Sequence, residues 1–570
     1  MAASGVVNTF QACSCVRKLG EFEDLAHALY CTRCTDTSIL AQVKKLYTGA
    51  ECFSGAAKTF KGLLVEDGYI IAVGADITDN FDEEEIFNSK HFIIPAFGDG
   101  HAHPLFAGRE SQGPQVTGLF SVAETLAEVA KFASENPESE WIVGGAYEAS
   151  IAVGGFFTAL SLDQVVNDRP VVLHASDHHT IWVNSKALEI AQVTQNTPDP
   201  AGGSIARSSD GTPQGTLREP AAIELITRHI PARTIVEDVV CLDWATKRML
   251  SSGITYAADS WVEPAMVDAY FEAEKVGALH VDIDLAFLIT PENWREQVSN
   301  LQTQRERFTG RTLTANSVKF LADGALSAGT AYLLEPYLDA PNSCGLKIWQ
   351  NDELLAAVKS CNKLGFQIHI HAIGDGAIRQ ALDTLESAGV TNRPVLVHAQ
   401  LIDPADLPRI ATLGVICNFQ PLWMYLDPMN KELIEPRIGK VRNNRQYQIR
   451  DVIDSGAHIS FGSDWPVTSQ APLQGVAVPV HRQEFAGAES WSPQQQITLL
   501  ESLTAYTLGV AYQFGLEAQL GSLEVGKRAD FVVLSANPFS VPIHEVRGIK
   551  IIAVYKNGEK VIAEKRGAGR

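Results

Sequence analysis

The 570-residue sequence predicts an α/β fold built on a (β/α)8 or TIM barrel, a ring of eight parallel strands surrounded by helices. Two observations predict it: short apolar runs alternate with helix-like segments through the middle of the chain, and polar side chains follow the runs where strands would end. Eight such units are enough to close a barrel. The runs, in chain order, are FIIPAFGDGHAHP, GITYAADS, HVDIDLAFLI, SVKFLADGA, FQIHIHAIGDGA, PVLVHAQL, GVICNFQPL and HISFGSDWP.

Both ends of the chain contribute β-rich segments outside the barrel. Residues 46–94 contain alternating runs such as GLLVEDGYIIAVG, and residues 491–570 contain a last helix followed by LGSLEVGKRADFVVL and IKIIAVYKNGEKVIA. Each segment is too short to bury a core alone. We therefore expect the two to pair in a small β-sandwich domain beside a barrel that spans residues 95–490.

The connection between the first and second runs, residues 105–252, is far longer than a βα connection requires. It contains its own helix-like stretch, SVAETLAEVAKFASE, and its own strand-like run, RPVVLHAS. We predict an inserted subdomain at residues 105–235 that folds over the barrel mouth as a lid, supplying substrate contacts and excluding water. The alternative is an insertion that packs on the flank of the barrel.

Composition narrows the function classes. Hydrophobic content of 45% and charged content of 20% are typical of a globular protein. A formal net charge of -21 argues against binding to nucleic acid or to an anionic membrane surface. The sequence also lacks an apolar stretch long enough for a membrane span or a secretory signal. We expect a soluble, cytoplasmic protein whose partner is a small molecule.

The nine cysteines are scattered along the chain, which fits reduced thiols better than a disulfide framework. One cluster stands apart in the N-terminal extension, residues 1–45. Its spacing could close a structural four-thiolate zinc site, although the first pair is one residue tighter than usual. Unliganded reduced thiols are the alternative. The four residues are Cys13, Cys15, Cys31 and Cys34.

Histidines and an aspartate occupy the predicted strand ends. His101 and His103 stand one residue apart on an extended segment, so both rings point to the same face. His371 and His398 end the fifth and sixth runs, and Asp464 ends the eighth. Because the carboxyl ends of barrel strands meet at one mouth, these side chains should converge there. Neutral imidazoles with a carboxylate suit a divalent ion such as zinc.

These motifs resemble those of the amidohydrolase superfamily, and more narrowly its YtcJ-like branch, amidohydrolase family 3, which includes N-substituted formamide deformylases. The similarity covers nearly the whole chain after about residue 46. It rests on a series of stretches in this order: PAFGDGHAHP, DHHTIWVNSKALE, TPDPAGGSIARSSDGTPQGTLRE, VKFLADGALSAGTAYLLEPY, HIHAIGDGAI, VLVHAQL, FGSDWPV and LGSLEVGKRADFVVL.

The resemblance implies a metal-dependent hydrolase in which the His-x-His pair and Asp464 hold one ion, while His371 and His398 line a second position. Lys319 ends the fourth run, where many relatives carry a carboxylated lysine that bridges two ions. Carboxylation makes the side chain an anionic ligand with two oxygens, whereas a free ammonium would repel metal. The alternative is a mononuclear site in which an unmodified Lys319 serves substrate charge or structure.

The chemistry implied is attack by metal-bound water, whose pKa is lowered toward neutrality. Asp464 is the candidate general base, taking a proton from that water and passing it to the leaving amine. The ion would polarise the scissile carbonyl, or His371 or His398 would do so when free of the ion. His369 shares a face with His371 but lies deeper, so we expect it to support the ligands from the barrel interior.

The insertion and the neighbouring loops supply further candidates. His179 and Trp182 match a segment that reaches the active site in relatives, so we expect both to contact substrate, with His179 also a candidate oxyanion contact; a structural histidine is the alternative. The sequence departs from the family at His178, where relatives commonly carry glycine, which bears on the shape of this loop. Asp323 is expected to shape the loop after the fourth run, beside the substrate. Trp423 is a candidate for the pocket wall or for core packing.

The leading functional expectation is hydrolysis of a C–N bond in a small-molecule amide. N-formyl and N-acyl amines are favoured, with cyclic amides and carbamates next. A second expectation is a metal-dependent decarboxylase or another lyase, because barrels of this kind support several reactions. Release of CO2 in place of a free amine and an acid would distinguish it. A third, a noncatalytic binding protein, is disfavoured by the complete ligand set. A homodimer is expected from the resemblance alone.

Overall fold

The coordinates are a computed structural model, and they describe residues 43–55, 58–200, 202–308, 310 and 312–563. The four cysteines of the candidate N-terminal zinc site lie outside the described residues, as does nearly all of the extension. Within the described part of the chain, no helix has both the length and the apolar character needed to cross a membrane.

The strands and helices alternate through most of the described chain. The strands are β1 (Lys44–Phe53), β2 (Thr59–Glu66), β3 (Tyr69–Val73), β4 (Glu83–Ile86), β5 (Phe92–Pro95), β6 (Phe97–Ala102), β7 (Ile142–Tyr147), β8 (Val171–Ala175), β9 (Thr180–Val183), β10 (Ser204–Arg207), β11 (Pro213–Arg218), β12 (Ile254–Val262), β13 (Asp282–Leu288), β14 (Leu313–Leu321), β15 (Gln367–Ala372), β16 (Val395–His398), β17 (Ile416–Phe419), β18 (His458–Phe461), β19 (Phe531–Leu534), β20 (Ile551–Lys556) and β21 (Glu559–Ala563). The α-helices are α1 (Pro104–Glu110), α2 (Val122–Glu135), α3 (Ala159–Asp163), α4 (Ser185–Ile190), α5 (Pro220–Thr227), α6 (Ile235–Ser251), α7 (Val267–Lys275), α8 (Trp294–Arg307), α9 (Asn351–Lys363), α10 (Asp375–Ala388), α11 (Leu407–Thr412), α12 (Glu435–Asn443), α13 (Ile449–Asp454), α14 (Pro472–Gly475), α15 (Val478–His481), α16 (Leu499–Tyr506) and α17 (Leu508–Gln513). A π-helix spans Asn430–Ile434.

The barrel predicted from the sequence is confirmed. Strands β6 and β12 to β18 lie in chain order and pair in parallel, and each of the eight apolar runs supplies one of them. Backbone hydrogen bonds just beyond the strand ends join the first strand to the last: Asp464 N donates to His101 O over 2.7 Å, and His103 N donates to Trp465 O over 2.8 Å. The same bonds hold two predicted ligand segments side by side.

Local sequence marks where the chain returns from the insertion to the barrel. Thr234 and Glu237 form a reciprocal capping box that begins α6, satisfying backbone N–H groups that the first helical turn leaves unpaired. Gly253, at φ +81°, then turns the chain into β12. A Cβ atom there would lie 2.9 Å from a methyl group of Val532, so glycine lets the barrel and the small domain approach closely.

The small domain joins both ends of the described chain in one hydrogen-bonded sheet, ordered β21-β20-β19-β5-β1-β2-β3, with β4 beside β1. The sheet encloses an apolar core that includes Tyr47, Ile93 and Phe531. Arg528 fixes this domain to the barrel through an ion pair with Asp282 of β13 at 2.5 Å, and it also pairs with Asp530 of its own domain at 2.5 Å.

The insertion carries a sheet of its own, ordered β10-β11-β9-β8-β7, in which β7 and β8 are parallel and the other pairs antiparallel. Separate apolar cores lie on its two faces. Hydrogen bonds tie it to the loop that follows β14: Ser327 donates to Asp177 over 2.7 Å, and Thr330 donates to Glu219. The insertion therefore reaches the carboxyl end of the barrel, where the candidate site lies.

Candidate metal centre and active site

Three predicted ligands converge at the carboxyl end of the barrel. Asp464 Oδ1 lies 3.1 Å from His101 Nε2 and 2.9 Å from His103 Nε2. In a tetrahedral zinc site with bonds of about 2.1 Å, neighbouring ligand atoms stand about 3.4 Å apart, so this spacing fits one shared ion. Among the described residues, these three have ligand atoms that lie close enough together to hold one metal ion.

The electrostatics of the cluster suit metal ligation. Burial holds the pKa of His101 well below 6.5, so its ring is neutral, as a ligand must be. The facing imidazoles hold the pKa of Asp464 well below its usual value despite burial, so this carboxylate is ionised. The Nδ1 atoms of His101 and His103 are buried, and no residue in the described part of the chain gives them a hydrogen-bond partner. Two imidazole nitrogens and one anionic oxygen are a donor set that zinc and similar ions accept.

His371 and His398 lie beside this trio. The ring of His398 has its centroid 5.2 Å from that of His101 and 4.6 Å from that of His371. Burial is the largest cause that holds the pKa of each ring well below 6.5. Lys319 is paired with His369 in the β14–β15 register, and it is almost completely buried. Burial lowers the pKa of Lys319 to about 7.

His369 lies beneath the cluster rather than in it. Its Nε2 is 2.9 Å from the Oε1 atom of Gln367, which lies two residues earlier on the same face of β15. The ring of His369 is fully buried. This position agrees with the parity argument that placed it deeper in the barrel.

A chain of buried amides orients His398, and the sequence analysis missed it. His398 Nδ1 is 2.7 Å from Gln420 Oε1, while Gln420 Nε2 donates to Asn418 Oδ1 over 2.9 Å. With its amide so fixed, Gln420 can only accept from His398, which puts the ring proton on Nδ1 and leaves the Nε2 lone pair for an ion. The signal was available: Asn418 and Gln420 alternate with apolar residues in the seventh run, which places both inside the barrel.

Two further carboxylates that the sequence analysis missed hold the His-x-His segment. Asp99 accepts from His101 N over 3.2 Å and from Ser463 N over 2.9 Å, so it connects β6 to the loop that carries Asp464. Asp259 of β12 lies 3.9 Å from His103 Nδ1 and accepts a hydrogen bond from Tyr270. Both carboxylates are buried, and burial raises the pKa of each to about 6.

The insertion places His179 beside His371. Its ring centroid is 5.4 Å from that of His371, and its Nδ1 is 2.8 Å from Glu219 Oε2. Burial lowers the pKa of His179, but the Glu219 charge and hydrogen bond outweigh it and raise the pKa to about 9. His179 is therefore a buried cation at neutral pH. Glu219, which the sequence analysis did not single out, ends the TLRE motif and has φ +68°.

The structure places Trp182 away from the site, which differs from the expected substrate contact. Its indole is fully buried, donates to Thr158 O over 2.9 Å and packs against Tyr147 and Phe157 in a core of the insertion. The reason is strand alternation: Trp182 pairs with Thr216 of β11 and points into the apolar face of the sheet, whereas His179 precedes the strand.

Asp323 organises the loop after β14. Its carboxylate accepts backbone hydrogen bonds from Tyr332, Ile373 and Gly374 at 2.8–3.0 Å and lies 3.6 Å from His371 Nε2. The side chain is fully buried, and these bonds let it position the loop beside His371.

The departure at His178 has a backbone explanation. His178 has φ +56°, the left-handed region that glycine enters at no steric cost. A glycine and a histidine at this position can thus share one loop conformation. The His178 ring stacks on His174 and lies 3.2 Å from Glu110, on the insertion side of the mouth.

Trp423 forms part of the wall beside the ligands. Its ring lies parallel to that of His398, with centroids 5.3 Å apart, and the side chain remains partly exposed. The same side chain also packs against the main apolar core, so the structure agrees with both alternatives considered from the sequence.

Comparison with known proteins agrees with the geometry. The sequence profile of the amidohydrolase family matches residues 91–562. The putative amidohydrolase YtcJ of Bacillus subtilis is 28% identical over 88% of this chain and 96% of its own length. The N-substituted formamide deformylase of Arthrobacter pascens is 25% identical over 87% of this chain and 94% of its own.

Among solved structures, an uncharacterized metal-dependent hydrolase from Pyrococcus furiosus superimposes with a TM-score of 0.69. It is 26% identical, and the match covers 87% of this chain and all of that one. The family match and this neighbour support a metal-dependent hydrolase and confirm the resemblance read from the motifs. Because the family profile spans most of its length, the chain belongs to the amidohydrolase family.

Proposed function

We propose that the protein hydrolyses the C–N bond of a small-molecule amide, with N-formyl or N-acyl amines as the substrate class. One observation carries the proposal. His101 Nε2 and His103 Nε2 both lie within 3.1 Å of the same oxygen, Asp464 Oδ1, at the barrel mouth. The formamide deformylase activity named for one relative supports the choice of bond.

The ion would be zinc, held by His101, His103 and Asp464. His371, His398 and a carboxylated Lys319 would complete a second position. Their buried, neutral imidazoles support this assignment. When bound, a divalent ion here would lower the pKa of water and polarise the substrate carbonyl.

Asp464 moves the proton in this proposal. Both imidazole contacts go to Oδ1, so Oδ2 is the atom assigned to accept a proton from the attacking water. The same oxygen then returns the proton to the leaving nitrogen, which departs as a neutral amine. Asp464 has a left-handed backbone conformation, at φ +54°. Such local strain persists at functional sites because the surrounding structure holds the residue in place.

His179 stabilises developing negative charge on the carbonyl oxygen. It is a buried cation beside His371, and Glu219 keeps it protonated and fixes its ring. A fixed donor in a water-poor site stabilises an oxyanion without reorganising during the reaction. His179→Gln should therefore lower kcat on the order of 10²-fold or more while metal content stays unchanged.

The direct test is product analysis on a panel of N-formyl amines, N-acetyl amines and cyclic amides, using zinc-loaded protein. The proposal expects equal amounts of acid and amine, or of the ring-opened acid, with His179→Gln as the impaired comparison. Release of CO2 without an acid would favour a decarboxylase instead. Absence of any turnover across the panel, from protein with full metal content, would oppose this substrate class.

Metal content decides between the one-ion and two-ion sites. Elemental analysis of wild type should give two barrel ions per chain, and Lys319→Ala should lose most of the second. One ion in both proteins would oppose the carboxylated bridge and leave a mononuclear hydrolase. The Cys31→Ala/Cys34→Ala variant, measured alongside, tests the N-terminal zinc site.

Two further parts of the proposal concern the protein's setting. The unpaired state of Cys52, Cys241, Cys344, Cys361 and Cys417 supports a reducing, cytoplasmic compartment. The homodimer expected from the resemblance is tested by sedimentation equilibrium, which should give twice the mass of one chain.

A further inference from the structure

A cavity of about 430 Å³ lies on the insertion, formed by strands β10 and β11 and the segment around Phe156. This volume falls within the range of small-molecule sites. Its lining includes Ser204, Arg207, Gln214 and Arg218, and it includes none of the metal ligands proposed above.

Arg218 is the unusual member of this lining, because it is a buried cation that has no carboxylate partner among the residues the structure describes. Arg218 is 9% exposed, and no described residue offers its Nε a hydrogen-bond partner. The guanidinium donates to two backbone carbonyls, Gly154 O at 2.9 Å and Ala328 O at 3.4 Å. Among the described residues, none of the ion pairs within 4.0 Å includes Arg218. Burying a charge without a counter-charge is costly.

The charges around Arg218 do not remove this deficit. Burial and the nearby Arg437 lower the pKa of Arg218. The two carboxylates that oppose this effect are engaged elsewhere: Asp177 accepts from Ser327 over 2.7 Å, and Glu219 holds His179.

Arg207 adds a second cation to the lining. It lies 3.7 Å from Asp199, whose side chain is half exposed, and its closer hydrogen bonds go to backbone carbonyls. An anionic group in the cavity would thus meet two guanidinium groups and the polar side chains of Ser204 and Gln214.

Phe156 gives the cavity an aromatic wall. The centre of its ring is 4.1 Å from Cζ of Arg218, and 45% of the residue is exposed. One face therefore stacks on the guanidinium while the rest of the ring can pack against a planar ligand.

We propose that this cavity binds the carboxylate of a small aromatic acid, with the carboxylate at Arg218 and the ring against Phe156. The site is separate from the metal centre, and the inference does not rest on the proposed hydrolysis. Benzoate is the probe, and benzamide, which has the same shape without the charge, is its neutral counterpart.

Isothermal titration calorimetry on the full-length protein tests the proposal. Benzoate should bind wild type saturably, and benzamide should bind on the order of tenfold more weakly or worse, because it lacks the charge-assisted pair. Arg218→Met should weaken benzoate binding by a similar factor. Arg228→Met, which removes an exposed arginine at the end of α5, should leave it unchanged.

Three results would overturn the proposal. The first is that benzoate does not bind wild type saturably, and the second is that benzoate and benzamide bind with equal affinity. The third is that benzoate still binds the Arg218→Met variant, which would place the acid at the metal centre or elsewhere. If Arg218→Met does not fold, Phe156→Leu replaces it, since 45% of that residue is exposed and loss of its ring should weaken benzoate binding severalfold. The comparison of benzoate with benzamide requires no variant.

Discussion

Replacing Glu219 with glutamine should convert His179 from a cation to a neutral ring without altering the shape of the site. The carboxylate lies 2.8 Å from His179 Nδ1 and also accepts a hydrogen bond from Thr330. It is 1% exposed, so water cannot replace its charge. The glutamine side chain has the same volume and can keep a hydrogen bond to each neighbour, but it carries no charge.

The magnitude follows from the pKa of His179. The Glu219 charge and hydrogen bond raise this pKa from 6.5 to about 9, against the opposing effect of burial. At 1.36 kcal/mol per pKa unit, the raised pKa corresponds to about 3 kcal/mol of stability. Because the pKa is raised, this contribution is fully present below pH 6.5 and is lost as pH rises through about 9. In Glu219→Gln, burial dominates, so the pKa should fall below 6.5 and the free energy of unfolding should no longer decline across this window.

The assay is a pH titration by NMR of protein labelled with ¹³C at histidine Cε1. His179→Gln identifies the signal, and Glu224→Gln, which removes an exposed carboxylate on α5, is the matched control. A wild-type His179 signal that titrates below pH 7 would refute the reasoning. So would a signal whose titration is the same in wild type and Glu219→Gln, because the charge would then have no role in holding the proton.

Three other predictions address the ligands and the insertion. Gln420→Leu removes the acceptor that orients His398, so zinc affinity measured by chelator competition should fall by about 10–100-fold; unchanged affinity would contradict this role. Trp182→Ala should lower the free energy of unfolding in urea by about 3–5 kcal/mol with metal content unchanged, whereas a stable variant with a raised KM would place the indole at the substrate. His103→Ala should lose the ion shared with Asp464, which elemental analysis measures. A chelator should abolish wild-type turnover, and added zinc should restore it; full activity without metal would contradict both expectations.

Several features of the site were predictable from residue pattern alone. His101 and His103 share a strand face because side chains alternate along an extended chain, and His371, His398 and Asp464 end strands that a barrel brings to one mouth. The same parity placed His369 below the cluster. These predictions succeed because each depends only on local periodicity and on one rule about where parallel strands end.

Other features depend on contacts that join distant parts of the chain. Glu219 holds His179 from 40 residues away, and Asp259 approaches His103 from the next barrel strand. Neither contact can be predicted from the spacing of residues in the sequence, because each depends on how distant segments of the chain pack together. Trp182 shows the converse: it is three residues from His179 in a motif shared with relatives, yet it points into the core of the insertion.

The sequence by itself determined the barrel, the order of its strands and the group of side chains at its carboxyl end, because apolar periodicity and strand parity are local properties. Only the tertiary structure decided which of these groups are charged and what orients them. The pKa of His179 depends on the buried Glu219, and the tautomer of His398 depends on Gln420. Charge state and orientation are set by burial and by partners across the fold, and both exist only once the chain has packed.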